Sequence, residues 1–119
     1  MSNNPIKDKS FQFAIQIINL YKFLTLEKKE YIMSKQVLRS GTSIGANIEE
    51  AIGGHTKKDF LSKVTIAYKE ARETNYWLQL LKETKYISDN QFNILFTSLE
   101  EILKIITAIQ KTAKKNISN

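Results

Sequence analysis

Residues 56–84, TKKDFLSKVTIAYKEARETNYWLQLLKET, decide the fold of this chain. Apolar and small residues recur in this stretch at alternating spacings of four and three: Phe60, Val64, Ala67, Ala71, Thr74, Leu78 and Leu81. Such spacing places them on one side of an α-helix, with polar and charged residues on the other sides. The stretch therefore predicts a long amphipathic helix over residues 57–84 that packs against other helices.

The same periodicity recurs in three other segments and predicts helices over residues 7–24, 27–52 and 89–114. Thr56 and Ser88 are predicted to cap the third and fourth helices, because each is followed three residues later by an Asp or Gln in the manner of a capping box. Gly53 and Gly54 are a typical stop signal for the second helix.

The first predicted helix is apolar over a broad arc. Two stripes share this arc, one formed by Phe13, Ile17, Leu20 and Leu24 and the other by Phe11, Ile15, Ile18 and Tyr21. A helix with so wide an apolar surface is expected to contact two neighbours, or one neighbour and another subunit.

The predicted connections are short, at about residues 25–26, 53–55 and 85–87. Short connections make consecutive helices antiparallel, so residues 1–119 are predicted to form one all-α domain, an up-down-up-down four-helix bundle. The polar residues 114–119 are expected to fray.

Composition narrows the functional classes. The 119 residues include no cysteine, which excludes disulfides, a thiolate nucleophile and cysteine-ligated metal. The chain shows no apolar signal-peptide core and no run near the ~18 apolar residues of a membrane span, so we expect a cytoplasmic protein without membrane contact. The net charge of +6 favours anionic partners.

Sites for metal or catalysis are not recognisable. A dinuclear metal site in a four-helix bundle needs glutamates and paired Glu-x-x-His motifs, but the single histidine, His55, lies in a predicted connection. The sequence also lacks a nucleophile elbow and a phosphate-binding loop. We expect no catalytic residue, metal, cofactor or small-molecule substrate, and hence not an enzyme.

Two cationic stripes are the candidate binding surface. Lys58, Lys69 and Arg72 share a polar face of the third helix, and Lys104, Lys111 and Lys115 share a face of the fourth. Lysines near a helix C-terminus also complement the helix dipole, and a solvated surface is the ordinary interpretation of both stripes. As a binding surface, they would contact phosphates without reading sequence.

Two pairs of residues in the second helix break local rules. Gly41 and Gly45 each cost about 1 kcal/mol inside a helix, so they predict close packing, either against the first or third helix or at a subunit interface. Glu49 and Glu50 oppose the helix dipole by about 0.3–1 kcal/mol each. They predict ion pairs with Lys57, Lys58 or a neighbouring chain; a role in anion gating or catalysis is the alternative.

Residues 38–51, LRSGTSIGANIEEA, resemble the second-helix signature of the 23S ribosomal RNA intervening-sequence proteins. Residues 59–60, 66–67, 69–74 and 76–81 resemble the third helix of the same family, so the resemblance covers residues 38–87 well. Both glycines and both glutamates of the second helix lie within the signature. The match assigns them no role.

The resemblance implies a bacterial homopentamer of four-helix bundles, a cyclic homo-oligomer with no established enzymatic activity. Some family members are encoded in inserts of large-subunit ribosomal RNA genes. The similar accessory variability determinant proteins assist retroelement reverse transcriptases as basic pentamers that engage nucleic acid. We therefore expect a non-enzymatic oligomer that binds RNA or DNA backbone; the alternative is a protein-interaction scaffold whose charge only aids solubility.

Overall fold

Four α-helices build the chain in a computed structural model that describes residues 4–118. They are α1 (Pro5–Leu26), α2 (Met33–Ile52), α3 (Lys57–Glu83) and α4 (Asp89–Ser118). The described residues contain no β-strand. The predicted all-α class and four-helix architecture are confirmed. Among these helices, none is long and apolar enough to cross a membrane.

Contacts between consecutive helices show that they run antiparallel. Ile17 of α1 faces Gly41 of α2, whereas the earlier Lys7 pairs with the later Glu49. The same reversal relates the other neighbours. Between α2 and α3, Ser40 bonds with Thr74 and Glu50 pairs with Lys63. Between α3 and α4, Phe60 and Ile105 line one groove and Lys82 lies over the ring of Phe92, and between α1 and α4, Lys9 pairs with Glu101 while Leu20 and Leu95 line another. Each helix thus contacts two others in a closed up-down-up-down ring, and α1 and α4 touch least.

The predicted seams form the core. In α3, every seam residue except Phe60 is buried. The same spacing gives α2 the seam Met33, Val37, Gly41, Ile44, Ile48 and Ala51, and gives α4 the seam Phe92, Leu95, Leu99, Ile102, Ile106, Ile109 and Ala113. All of these are buried except Met33, Ile109 and Ala113, which are partly buried. Phe13, Ile17 and Leu24 of α1 are also fully buried. Each such side chain contributes about 1.5–3 kcal/mol relative to an exposed one. The same four-three spacing that predicts the helices therefore also identifies the core.

The second stripe of α1 is not covered by the chain itself. Phe11 is 64% exposed, and Ile15 and Ile18 are each 40% exposed. We call these three residues the apolar stripe. α1 contacts both α2 and α4, which is the first interpretation of the broad arc, and the apolar stripe stays exposed in addition.

The connection between α1 and α2 is longer than predicted. Residues 27–32 are not helical, and α2 begins at Met33 rather than Glu27. Lys29 has a φ of 54°, which turns the chain out of α1. No glycine or proline lies between residues 25 and 35, so the sequence lacked the usual stop signal.

Glu30 caps α2 from within this connection. Its side chain is buried, and its carboxylate accepts hydrogen bonds from the backbone N–H groups of Ile32 at 3.1 Å, Met33 at 3.0 Å and Ser34 at 2.7 Å. These N–H groups precede or open the helix and have no partner within it. A carboxylate there also complements the positive end of the helix dipole. Glu30 thus replaces a conventional cap residue.

The caps of α3 and α4 follow the sequence signals. Thr56 Oγ1 accepts from the Asp59 N–H at 3.0 Å. Ser88 Oγ accepts from the Gln91 N–H at 3.0 Å, while Gln91 Oε1 accepts from the Ser88 N–H at 2.8 Å. The two predicted caps are confirmed, and the second is a reciprocal capping box.

The last helix is longer than predicted. It continues to Ser118, so residues 114–118 are helical rather than frayed; Asn119 lies outside the described residues. Because Lys9 pairs with Glu101 in an antiparallel arrangement, Pro5 lies near the level of Ile105. The remaining residues of α4 therefore extend about 20 Å past the start of α1.

The paired glycines bring α1 close to α2. A Cβ atom at Gly41 would lie 2.7 Å from Cγ1 and 2.8 Å from Cγ2 of Ile17. At Gly45 it would lie 3.3 Å from the backbone oxygen of Ser10. Both glycines thus face α1 of the same chain, which is the intramolecular alternative of the prediction.

Glu30→Ala should lower the free energy of unfolding by about 1–3 kcal/mol, because it leaves the buried Ser34 N–H and two partly buried N–H groups without their acceptor. Chemical denaturation measures the change. Glu27→Ala is the matched control, since Glu27 lies in the same connection with an exposed side chain, and it should change stability by less than about 0.5 kcal/mol. Equal losses for both variants would contradict the capping role.

Gly41→Ala should destabilise the protein, because overpacking against the buried Ile17 costs about 1–3 kcal/mol and exceeds the gain in helix propensity of about 1 kcal/mol. Gly45→Ala should remain close to the wild type, since its new methyl group meets a looser contact. Denaturant titration of both variants tests this order. Two variants of equal stability would show that the approach at Gly41 relaxes without cost.

Candidate functional site

All six predicted cationic residues are exposed. Lys58, Lys69 and Arg72 lie on α3, and Lys104, Lys111 and Lys115 lie on α4. Within residues 4–118, none of the six forms an ion pair with a carboxylate. Their charges are therefore available to solvent or to an anionic partner.

Arg72 is held against a neighbouring aromatic ring. Its Nη1 donates to the Tyr68 hydroxyl at 3.1 Å, and the guanidinium lies 5.9 Å from the ring centroid. Such a cation–π contact at an exposed site contributes about 0.5–1 kcal/mol. The contact orients Arg72 without neutralising it.

The structure divides the six residues into two groups. Phe60 of α3 and Ile105 of α4 line the same groove, so the start of α3 lies beside the second half of α4. Lys58 is therefore near the end that carries Lys104, Lys111 and Lys115. Lys69 and Arg72 lie about 16 and 21 Å further along α3. The two predicted stripes do not form one continuous surface.

One end of the bundle carries six of the fourteen Lys and Arg residues that form no ion pair within residues 4–118. Residues 102–118 contain four lysines and no acidic residue, and two further lysines follow the α2–α3 connection. We call the following six residues the basic end: Lys57, Lys58, Lys104, Lys111, Lys114 and Lys115. The prediction of the binding surface omitted Lys57 and Lys114, although the acid-free run after Glu101 was visible in the sequence.

A groove of about 850 Å³ lies at the basic end, between the start of α3 and the last turns of α4. We call it the α3/α4 groove. Its apolar lining residues are Phe60, Ile105, Ala108, Ile109 and Ala113, and its polar lining residues include His55, Lys57, Lys104 and Thr112. No acidic side chain lines it. The groove thus combines an apolar base with a positive rim.

Two acidic residues of α3, Glu70 and Glu73, are engaged by Arg39. Arg39 Nη1 donates to Glu70 at 3.0 Å, Arg39 Nη2 contacts Glu73, and Trp77 Nε1 donates to Glu73 at 2.9 Å. The Trp77 hydrogen bond, together with Arg39, lowers the pKa of Glu73, and the bond to Glu73 raises the pKa of Arg39. Both shifts favour the charged pair, so this network ties α2 to α3.

A buried hydrogen bond reinforces the same contact. Thr74 Oγ1 lies 2.9 Å from Ser40 Oγ, and both residues are fully buried. Because Ser40 follows Arg39 directly, the polar network and the buried pair fix the register between α2 and α3.

Glu49 and Glu50 form ion pairs, but with other lysines than those predicted. Glu49 lies 3.5 Å from Lys7, and Glu50 lies 3.0 Å from Lys63. Within residues 4–118, neither Lys57 nor Lys58 pairs with them. Both pairs are solvent-exposed, and such pairs contribute about 0.2–1 kcal/mol, enough to offset the unfavourable helix dipole. They connect α2 to α1 and to α3.

His55 is exposed in the α2–α3 connection, beside the α3/α4 groove. Across the described part of the chain, no group of three or more His, Cys, Asp or Glu side chains is placed to hold a metal ion. What the described surface does show is positive charge beside an apolar groove.

Comparison with known proteins identifies the family. No curated protein matches the chain. A similar solved structure is the crystal structure of a protein of unknown function from the S23 ribosomal protein family of Bacteroides thetaiotaomicron. Its sequence is 54% identical to this chain and the TM-score is 0.88. The match covers 89% of this chain and 98% of that one. The model of the 23S rRNA-intervening sequence protein family matches residues 2–108. The chain therefore belongs to the 23S rRNA-intervening sequence protein family.

Proposed function

We propose that this protein is a non-enzymatic, self-associating scaffold that binds the backbone of RNA or DNA through its basic end. The concentration of six exposed lysines at one end, with no acidic residue between Ile102 and Ser118, carries this proposal. Family membership supports the fold and is compatible with an RNA-related setting.

The positions of the lysines suit phosphate contacts. Lys111 and Lys115 lie one helical turn apart, about 6 Å along the axis, and Lys104 precedes them by about 10 Å. Exposed lysines on a projecting helix reach phosphates without displacing core residues. Such contacts are electrostatic and independent of base sequence.

Self-association is proposed through the apolar stripe of α1. An exposed phenylalanine beside two half-covered isoleucines is typical of a surface that another protein covers. A homopentamer is the stoichiometry that the family resemblance implies. An oligomer would present several basic ends to one nucleic acid, and this multivalency would strengthen weak individual contacts.

The double variant Lys111→Glu/Lys115→Glu should weaken binding to a short RNA hairpin. The loss of two phosphate contacts should make the slope of log affinity against log salt less negative by about two, because each contact contributes about −0.9. Mobility shift or fluorescence anisotropy between about 50 and 200 mM salt measures both the affinity and the slope.

Lys22→Glu/Lys35→Glu is the matched control, since both lysines are exposed near the opposite end of the bundle and the charge change is identical. It should bind more tightly than the first variant. If both variants weakened binding equally, the effect would depend on the net charge of the protein and not on the position of the lysines. Absence of wild-type binding to RNA and DNA at about 50 mM salt would reject the proposed function.

Ile15→Glu should dissociate the oligomer, because a carboxylate in a buried apolar interface has no compensating partner. Ile66→Glu on α3 is the control: Ile15 is 40% exposed and Ile66 is 39% exposed. Sedimentation velocity should show a multiple of the 13.7 kDa chain for the wild type and Ile66→Glu, and the monomer for Ile15→Glu. A monomeric wild type, or an unchanged mass for Ile15→Glu, would refute an interface at the apolar stripe.

A further inference from the structure

The α3/α4 groove has features that phosphate binding does not use. Its base is formed by Phe60, Ile105 and Ile109, which are only partly buried by the chain. A phosphate backbone gains nothing from apolar side chains. A ligand that covers them must itself present apolar groups, so the groove points to a different partner from the lysines that face outward.

The dimensions of the groove suit an α-helix. Its α4 lining runs from Lys104 to Asn116, about 18 Å or three helical turns. Small residues, including Ala108, Thr112 and Ala113, lie along this length and allow a helix backbone to approach closely. Helices that bind in grooves insert one apolar face through residues spaced at i, i+3, i+4 and i+7.

The charge around the groove selects the polar face of such a helix. Lys57 and Lys104 line the rim, and no acidic side chain does. Lys111, Lys114 and Lys115 lie on the same turns of α4. An acidic helix in the groove would place its carboxylates beside Lys57 and Lys104, whereas a basic helix would be repelled.

A second copy of the chain is a poorer occupant. The apolar stripe, which is the surface proposed for self-association, continues at helical spacing into Lys7 at one end and Lys22 at the other. Insertion of this face would bring like charges to a rim that already lacks carboxylates. The groove is therefore complementary to a different chain.

We propose that the α3/α4 groove binds an amphipathic helix of a partner protein whose apolar face covers Phe60, Ile105 and Ile109 and whose polar face is acidic. This interaction shares Lys57 and Lys104 with the proposed binding of nucleic acid, whereas Lys111, Lys114 and Lys115 do not line the groove. It gives the protein a second, protein-directed binding site.

Three labelled synthetic peptides test the proposal against the full-length protein by fluorescence anisotropy. The first is an amphipathic helix with leucines on one face and glutamates on the other. The second carries lysines in place of the glutamates, and the third has the first composition in scrambled order. The first peptide should bind at least tenfold more tightly than either control, a difference of about 1.4 kcal/mol.

Ala108→Glu locates the site, because Ala108 is exposed and lines the groove. It should weaken binding of the acidic peptide at least about tenfold. Thr97→Glu is the matched control: it adds the same charge at an exposed position of α4 about 16 Å away. It should leave the affinity nearly unchanged, and circular dichroism should show that both variants keep the wild-type helix content.

Several results would overturn the proposal. No binding of the acidic amphipathic peptide at about 100 μM protein would do so, as would equal binding of the scrambled or lysine peptide. Equal effects of Ala108→Glu and Thr97→Glu would place any binding outside the groove. If RNA, and not the peptide, lost affinity specifically in Ala108→Glu, the groove would belong to the nucleic-acid surface instead.

Discussion

Burial of one apolar seam on each helix is the constraint on which this structure depends. Residues spaced alternately by four and three keep one face of a helix in continuous contact with its neighbours, and the fully buried members of α3 extend from Val64 to Leu81. Four such faces can be covered together only when the helices lie side by side. The antiparallel ring follows from this requirement and from the short connections.

Polar interactions then fix what apolar burial leaves undecided. Apolar burial alone allows one helix to slide along another. Specific polar contacts do not, because they form at only one register of α2 against α3: the bond between Ser40 and Thr74, and the contacts of Arg39 with Glu70 and Glu73. Gly41 has a comparable effect on the other side of α2, since Ile17 fits closely where the glycine lacks a side chain. The helix of the family signature is thus positioned on both sides.

The unequal lengths of the helices create the surface proposed for binding. Because α4 extends past the start of α1, its final turns are covered less than its first ones, and its lysines lie on a projecting helix. The same overhang leaves Ile109 and Ala113 of the predicted seam only partly buried, beside the start of α3. Positive charge and an apolar groove therefore share one end of the molecule for a common geometric reason.

The sequence alone determined the four helices, their seams and two of their caps, because each depends on periodicity or on residues only three positions apart. Tertiary structure decided the α1–α2 connection, where the buried Glu30 caps α2 without a glycine or proline signal, and it selected Lys7 and Lys63 as the partners of Glu49 and Glu50. It also separated Lys69 and Arg72 from the basic end. These features depend on which residues of different helices lie at the same height in the bundle, and that height is set by packing between helices rather than by spacing within one.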